Sequence, residues 1–243
     1  MAQQAKQCVE TKHRDFYIQA LDCLKEKDVP FMVGGAFAVW YYTGRWRDTH
    51  DMDVFTSPEH VPAAAAALSA SGFEDLGEQA AGDREWIYHA VKGDIIVDVI
   101  FSFANRITTV AEDWIKRGPE GELLGVQVKF MPIEELVHSK IYTMNKHRCD
   151  WPDIMRILRT NCPTFDWRRF MDMLGDAWLL FAGLVDVFDW QFPADKHCIP
   201  DDIRLELIRR RLNYEPDVSV GSREKLLDPW IHSRPEDICY LEP

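Results

Sequence analysis

The chain has 243 residues, of which 47% are hydrophobic and 28% charged, a composition typical of a globular protein with a substantial core. Its formal net charge of −12 argues against broad, non-specific binding to nucleic acid or to an anionic membrane. No apolar run approaches the ~20 residues that span a bilayer, and the first residues lack the apolar stretch of a signal peptide, so we expect a cytoplasmic protein.

The first half of the sequence predicts alternating helices and strands. Apolar residues at helical spacing alternate here with short β-type runs that end at glycine or proline. Lys92-Gly93 predicts a hairpin between two of the strands. In chain order we predict helix 14–28, strand 31–35, helix 36–44, strand 50–56, helix 57–72, strands 84–91 and 94–101, and strand 121–130.

The second half predicts helices only. Five segments after Pro132 have helical apolar spacing, at 133–145, 151–160, 166–174, 176–190 and 201–213. We therefore predict an α/β fold, with a small mixed β-sheet domain flanked by helices over residues 1–131 and an all-helical C-terminal region over residues 132–243.

The six cysteines predict no metal or redox site. They are widely scattered, and no two of them form a C-x-x-C pair. His197 and Cys198, like His147 and Cys149, stand too close together and too isolated in the sequence to indicate a metal cage. We expect most of the cysteines to be small buried or half-buried residues.

Two aspartates in the strand at 50–56 are candidate metal ligands. Alternate side chains of a strand point the same way, so Asp51 and Asp53 share one face. At ~4 Å, two like charges repel by roughly 1 kcal/mol in water and ~4 kcal/mol at a partly buried site. A divalent cation with hard oxygen ligands, such as Mg²⁺, would reverse that sign. The alternative is a solvated edge strand with surface carboxylates.

Asp98 is the third candidate carboxylate. It stands in the middle of DIIVDVIF, a strand that is apolar on both faces, where an aspartate is costly. A carboxylate pair on one strand and a single carboxylate on another can hold one or two metal ions over a triphosphate, while the third carboxylate accepts a proton from an attacking hydroxyl. Alternatively, Asp98 caps a buried arginine or a turn.

The pair Gly34-Gly35 lies between a predicted strand and a predicted helix. Without a Cβ, the backbone N–H groups of such a pair can approach phosphate oxygens closely, and the helix that follows adds its positive end. The glycine pair, the D-x-D strand and the mid-strand aspartate together predict a site for a nucleoside triphosphate.

These residues resemble the signature of the DNA polymerase β-like nucleotidyltransferase superfamily. The form Gly-Gly … Arg-x-Thr-x-Asp-x-Asp is most similar to bacterial minimal nucleotidyltransferases and to the abortive-infection toxin branch. The resemblance implies an NTP co-substrate and a Mg²⁺ (or Mn²⁺) cofactor. It implies the following roles: Asp51, Asp53 and Asp98 bind the metal, Asp98 also acts as the base, Gly34 and Gly35 cradle the triphosphate, and Arg47 and Thr49 belong to the nucleotide site.

Lys140 is a further candidate for the nucleotide site. It falls inside the apolar stripe of the predicted helix 133–145, so its ammonium either snorkels to an edge or reaches a buried anion, for which we expect the triphosphate. The segment also resembles the family in having an Arg-x-Asp-x-x-Asp cluster after the lysine. That cluster (Arg148, Asp150 and Asp153) serves equally well as an ion pair at the start of a helix.

We therefore predict a metal-dependent nucleotidyltransferase that moves a nucleoside monophosphate from an NTP to a hydroxyl-bearing acceptor and releases pyrophosphate. The acceptor is either a small molecule or RNA or protein, and a toxin-like enzyme would have a cognate antitoxin. No membrane partner is expected. The alternative is a non-catalytic nucleotide-binding or partner-binding protein with the same fold.

Overall fold

The computed structural model describes residues 9, 11–49, 51–76, 84–103, 108–144 and 148–215. The chain divides into two compact units, Met1–Leu136 and Val137–Pro243. Our sequence boundary after residue 131 stays a prediction. Residue 50 of the predicted strand 50–56 and residue 145 of the predicted helix 133–145 lie outside the described residues.

The first unit alternates helices and strands, as predicted. Its helices are α1 (Thr11–Glu26), α2 (Gly35–Thr43), α3 (Val61–Ala70) and α4 (Glu112–Arg117), and its strands are β1 (Met32–Val33), β2 (Asp51–Phe55), β3 (Glu74–Asp75), β4 (Ile87–Lys92), β5 (Ile95–Ile100), β6 (Glu120–Leu123) and β7 (Val126–Lys129). A 3₁₀ turn, Pro58–His60, precedes α3, which fits the fixed φ of proline at a helix start.

Five strands form one mixed sheet in the order β1-β2-β5-β4-β3. Strands β2 and β5 pair in parallel, whereas the other neighbours pair antiparallel. The predicted hairpin is present, but its loop is Gly93-Asp94 rather than Lys92-Gly93, because Lys92 still pairs with Ile95. Sheet and helices together confirm the predicted α/β class with a mixed sheet.

The core of this unit lies on the face of the sheet opposite the candidate aspartates. On β2, Met52 and Val54 are buried, and on β5, Val97 and Val99 are fully buried beside them. Helix α2 is followed by Gly44, the last residue of the predicted helix 36–44, whose positive φ of 65° forms a left-handed cap. Alternation along β2 therefore sends the apolar side chains into the core and leaves Asp51 and Asp53 on the other face.

Two predicted strands differ from the observed elements. The segment 121–130 is the two-stranded hairpin β6–β7 rather than one strand, since Leu124 and Gly125 adopt positive φ values of 56° and 96° and reverse the chain. An apolar leucine in a turn gives no sequence signal, which explains the error. The predicted strand 31–35 shortens to Met32–Val33, because Gly35 already begins α2.

The second unit is helical, as predicted. It contains the remainder of α5 (Ile133–Ile141), which begins in the first unit and ends earlier than the predicted residue 145, and α6 (Trp151–Asn161), α7 (Trp167–Met173), α8 (Trp178–Gln191) and α9 (Asp201–Leu212). Buried aromatic rings, among them Phe170, Phe181 and Phe188, fill its core. Within the described ranges, no helix is long and apolar enough to cross a membrane.

Candidate active site

The three predicted carboxylates converge at the parallel pairing of β2 and β5. The register places Asp53 directly beside Asp98, and Asp51 lies two residues earlier on the same face of β2. One carboxylate oxygen from each of Asp51, Asp53 and Asp98 lies within 4.8 Å of the others. Adjacent parallel strands thus bring together residues that are 45 positions apart in the sequence, from Asp53 to Asp98.

These carboxylates fit a divalent cation. Asp98 is 9% exposed and the other two are half-buried, so solvent screens their mutual repulsion only in part. The three groups offer oxygen ligands only, the donor type that Mg²⁺ and Mn²⁺ favour. A cation at their centre would convert a repulsive cluster into a stabilised one.

His89 is a site residue that the sequence analysis missed. It pairs with Asp98 across the β4–β5 hairpin, and its Nδ1 lies 2.6 Å from Asp98 Oδ1. An ionised Asp98 can only accept a hydrogen bond, so His89 Nδ1 is then the donor. A histidine is therefore one polar partner of Asp98, where our alternative named an arginine or a turn. The predicted loop at Lys92-Gly93 would place Ile96 opposite His89, whereas the observed loop at Gly93-Asp94 makes Asp98 the partner.

Gly34 and Gly35 lie in close contact with side chains of β2. Gly35 has a φ of +51°, and a Cβ there would lie 1.5 Å from Asp53 Oδ2. A Cβ on Gly34 would lie 2.2 Å from Cε2 of Phe55, and the Gly34 N–H donates to the Asp53 carbonyl oxygen at 2.9 Å. Gly35 thus leaves room for the Asp53 carboxylate and Gly34 for the Phe55 ring, which is a reason for glycine that the sequence alone did not reveal.

Thr49 holds one of the carboxylates. Its hydroxyl donates to Asp51 Oδ1 and lies 3.4 Å from the Asp51 carbonyl oxygen. A hydrogen bond to an ionised carboxylate orients that group. Arg47, the other signature residue of this segment, is half-buried two positions earlier.

Tyr17 of α1 is a second residue that the sequence analysis missed. The side chain is 1% exposed, and within the described part of the chain its hydroxyl has no hydrogen-bond partner. Burial raises the pKa of this phenol, and the charges of Asp51 and Asp53 raise it further. The Tyr17 hydroxyl is therefore neutral and lies close enough to the carboxylate cluster for the negative charges to act on it.

Lys140 lies in the second unit, where it meets a buried anion. Its Nζ donates to Asp150 Oδ2 at 2.7 Å and to Asp153 Oδ2 at 3.1 Å, and its side chain is 4% exposed. Arg148 Nε donates to Asp150 Oδ1 at 2.9 Å. Burial alone would raise the pKa of Asp150, but Lys140 and Arg148 outweigh it and lower that pKa to about 2. The contact of Arg148 with Asp150 is the ion pair that we considered for this cluster, whereas the pairing of Lys140 with the two aspartates was not predicted. The triphosphate contact of Lys140 stays a prediction.

Replacing Lys140 with methionine is expected to lower the free energy of unfolding by about 3 kcal/mol at pH 7, because two buried carboxylates lose their cation. The ionised Asp150 carboxylate stabilises the folded state because its pKa is lowered to about 2. This contribution to the free energy of unfolding is complete above the ordinary pKa of an aspartate and is lost as the pH falls through about 2. The loss in the variant should therefore shrink as the pH falls below about 4. Urea unfolding at several pH values measures it.

The matched control for this prediction is Lys116→Met. Lys116 is exposed and lies 3.5 Å from Glu112 one helical turn away, so its loss should cost less than about 0.5 kcal/mol. Equal destabilisation by the two variants at pH 7 would contradict a structural role for the Lys140 pair.

A family model described as "Nucleotidyl transferase of unknown function (DUF2204)" matches residues 13–177. No curated protein matches the chain by sequence. Among solved structures, that of the antibiotic-resistance factor ANT(2'')-Ia in solution is 17% identical, with a TM-score of 0.43, covering 85% of this chain and 100% of its own. Lincomycin-bound LnuA, a lincosamide antibiotic adenylyltransferase, is 18% identical, with a TM-score of 0.42, covering 60% and 96%. JHP933 from Helicobacter pylori is 12% identical, with a TM-score of 0.42, covering 88% and 92%.

Proposed function

This chain belongs to the nucleotidyl transferase family DUF2204, and we propose that it moves a nucleoside monophosphate from an NTP to a hydroxyl-bearing acceptor with release of pyrophosphate. The family match confirms the predicted nucleotidyltransferase. The observation that carries the finer proposal is the cluster of three carboxylates, with oxygens within 4.8 Å of one another, at the centre of the sheet. The similarity of this chain to the abortive-infection toxin branch stays a prediction.

Asp51, Asp53 and Asp98 would hold Mg²⁺ or Mn²⁺. When bound, the cation supplies positive charge that offsets the charge of the triphosphate. Thr49 orients the Asp51 carboxylate, and Gly35 leaves room for Asp53. We propose that Gly34 and Gly35 border the triphosphate and that Arg47 and Thr49 complete the nucleotide site.

The transfer needs one deprotonation and one bond exchange. The acceptor hydroxyl oxygen forms a bond to the α-phosphorus, the bond between that phosphorus and the bridging oxygen to the β-phosphate breaks, and pyrophosphate leaves. In this proposal Asp98 is the general base that takes the proton of the acceptor hydroxyl. His89 Nδ1, 2.6 Å from Asp98 Oδ1, fixes the orientation of that carboxylate.

The charge distribution favours a small acceptor over RNA. Helix α9 carries a basic cluster (Arg204, Arg209, Arg210 and Arg211) that could contact nucleic acid. Arg204 donates to Asp189 at 2.9 Å, Arg210 to Glu206 at 3.0 Å, and Arg211 lies 3.3 Å from Asp186. Acidic partners thus neutralise three of these arginines, and the whole chain carries a net charge of −12. An RNA or protein acceptor and a cognate antitoxin stay predictions.

The proposal is tested by incubating the protein with each α-labelled NTP, Mg²⁺ and a panel of small hydroxyl compounds, total RNA and protein. Release of pyrophosphate together with transfer of the label to one acceptor class would support it and identify the acceptor. Binding of NTP without pyrophosphate release under any of these conditions would favour the alternative, a non-catalytic nucleotide-binding protein.

Replacing His89 with phenylalanine is expected to lower kcat roughly ten- to a hundred-fold, because Asp98 loses the hydrogen bond that orients it. The KM for NTP should stay level if His89 acts only through Asp98. His89→Asn keeps a side-chain nitrogen near the place of Nδ1 and should restore part of kcat. Equal kcat in wild type and His89→Phe would remove His89 from the mechanism.

Lys140→Met also tests the proposed triphosphate contact. Deleting a charged hydrogen bond to phosphate should weaken NTP affinity about ten- to a hundred-fold. Since Asp150 and Asp153 already neutralise this lysine, a calorimetric titration that gives unaltered affinity would assign Lys140 to the ion pair alone.

A further inference from the structure

A cluster of soft metal ligands lies in the second unit. Cys162 directly follows helix α6, whereas His197 and Cys198 end the 3₁₀ turn Pro193–Cys198. One Sγ from each cysteine and one ring nitrogen of His197 all lie within 4.8 Å of one another. The His197-Cys198 pair, which is isolated in the sequence, is therefore not isolated in the fold, because Cys162 lies beside it.

Neighbouring contacts hold the two segments of this cluster together. Arg159 of α6 donates from Nε to Asp195 Oδ2 at 2.7 Å, and its guanidinium lies 4.2 Å from the ring centroid of Phe192. Both contacts link α6, one turn before Cys162, to the turn that carries His197 and Cys198. The three ligand groups are thus preorganised, so a metal would not have to close a long loop at the moment of binding.

The donor set selects the kind of metal. Two cysteine sulfurs and an imidazole nitrogen suit a borderline-soft ion that takes tetrahedral ligands, whereas Mg²⁺ needs oxygen. Around a tetrahedral zinc, with Zn–S near 2.3 Å and Zn–N near 2.0–2.1 Å, ligand atoms stand roughly 3.3–3.8 Å apart. The 4.8 Å limit on the separations in this cluster exceeds that spacing by roughly 1 Å.

We propose that Cys162, His197 and Cys198 bind one zinc ion, with water at the fourth position. Water fits there because His197 is exposed and Cys162 is half-buried, while Cys198 forms the buried side of the site. This site is independent of the nucleotidyl transfer proposed above and contains none of its residues.

Metal binding would change the state of the thiols. Both cysteines are free in the structure, and burial, followed by the neighbouring Cys162 side chain, raises the pKa of the Cys198 thiol. Each thiol that coordinates zinc releases its proton to solvent. The bound ion would then connect α6 to the turn before α9 and stabilise the folded second unit.

Cobalt substitution tests the site on the full chain. The experiment titrates Co²⁺ into the reduced, metal-free protein under anaerobic conditions and records the sulfur-to-cobalt charge-transfer absorption. The carboxylate cluster and the surface group Glu59, His60 and Glu112 can also bind divalent cations, but they contain no sulfur and give no such band. We expect the band to appear with one equivalent of Co²⁺ and to disappear when Zn²⁺ is added.

Three variants assign the band to the cluster. His197→Ala changes an exposed residue and should weaken Co²⁺ and Zn²⁺ binding at least about tenfold without affecting folding. Cys198→Ser should abolish the band, and circular dichroism checks that this buried substitution folds. Cys149→Ser, at an exposed free cysteine outside the cluster, is the matched control and should keep the band unchanged.

The outcomes separate the site from the alternatives. A wild-type protein without a sulfur band under reducing conditions overturns the proposal and leaves the two cysteines as a thiol contact or the precursors of a disulfide. A band that persists equally in His197→Ala and in folded Cys198→Ser overturns it too, since the thiols would then come from elsewhere. Loss of the band in these two variants with retention in Cys149→Ser supports it.

Discussion

Replacing Gly35 with alanine is expected to lower nucleotidyl transfer by about a thousandfold or more. The new Cβ would lie 1.5 Å from Asp53 Oδ2, so either the carboxylate or the start of helix α2 must move. A displacement of about 1 Å at a reacting site costs on the order of a hundredfold in rate, and here the displaced group is itself a proposed metal ligand. The measurement is kcat/KM for NTP, together with the rise in Tm that Mg²⁺ causes.

Gly44→Ala is the matched control for this experiment. Gly44 has a φ of +65°, similar to the +51° of Gly35, but a Cβ there would meet nothing within 4 Å. This variant carries the conformational cost of about 1–2 kcal/mol without the clash. It should lose stability and keep its transfer rate. If both variants lose activity equally, backbone strain rather than the position of Asp53 explains the effect.

The second large effect is expected from Asp53→Asn. Removing one of three clustered carboxylates should lower transfer by about 10⁴-fold or more, in the range seen when one member of a catalytic set is deleted. In the wild type, Mg²⁺ at a hundred times its Kd should add about 2.7 kcal/mol to the free energy of unfolding, since the cation binds only the folded cluster. The variant should lose most of this gain, and its metal-free form should be as stable as the wild type or more so, because a like charge is gone.

Asp22→Asn is the control for Asp53→Asn. Asp22 is exposed on helix α1 and does not belong to the carboxylate cluster. The substitution Asp22→Asn changes the net charge by the same amount as Asp53→Asn. Its Mg²⁺-dependent rise in Tm and its transfer rate should equal those of the wild type. Equal metal stabilisation in Asp53→Asn would place the cation elsewhere and remove the proposed mechanism.

Local patterns in the sequence were sufficient for the candidate ligands. Alternation along a strand placed Asp51 and Asp53 on one face, and the apolar neighbours of Asp98 marked it as costly in a buried strand. The register of β2 and β5, with Asp53 beside Asp98, agrees with both inferences. The helices of the second half also followed from apolar spacing, because helix formation depends on residues only three or four positions apart.

Side-chain partners across a hairpin depend on the exact position of its loop. His89 faces Asp98 because the chain turns at Gly93-Asp94, one residue later than the predicted loop, which would have placed Ile96 there. The turn at Leu124-Gly125 could not be predicted from the sequence. A leucine with a φ of +56° carries no turn signature, and only the pairing of β6 with β7 fixes that conformation.

The sequence by itself determined that the chain has an α/β half, a strand with two aspartates on one face and a glycine pair between a strand and a helix. Each of these features depends only on residues that are close together in the sequence. Only the tertiary structure decided which distant groups meet. Parallel pairing brought Asp98 to Asp53, two buried aspartates met the ammonium of Lys140, and Cys162 came to lie beside His197 and Cys198. Such contacts depend on how whole elements pack, and the periodicity of one segment carries no information about the partner against which it packs.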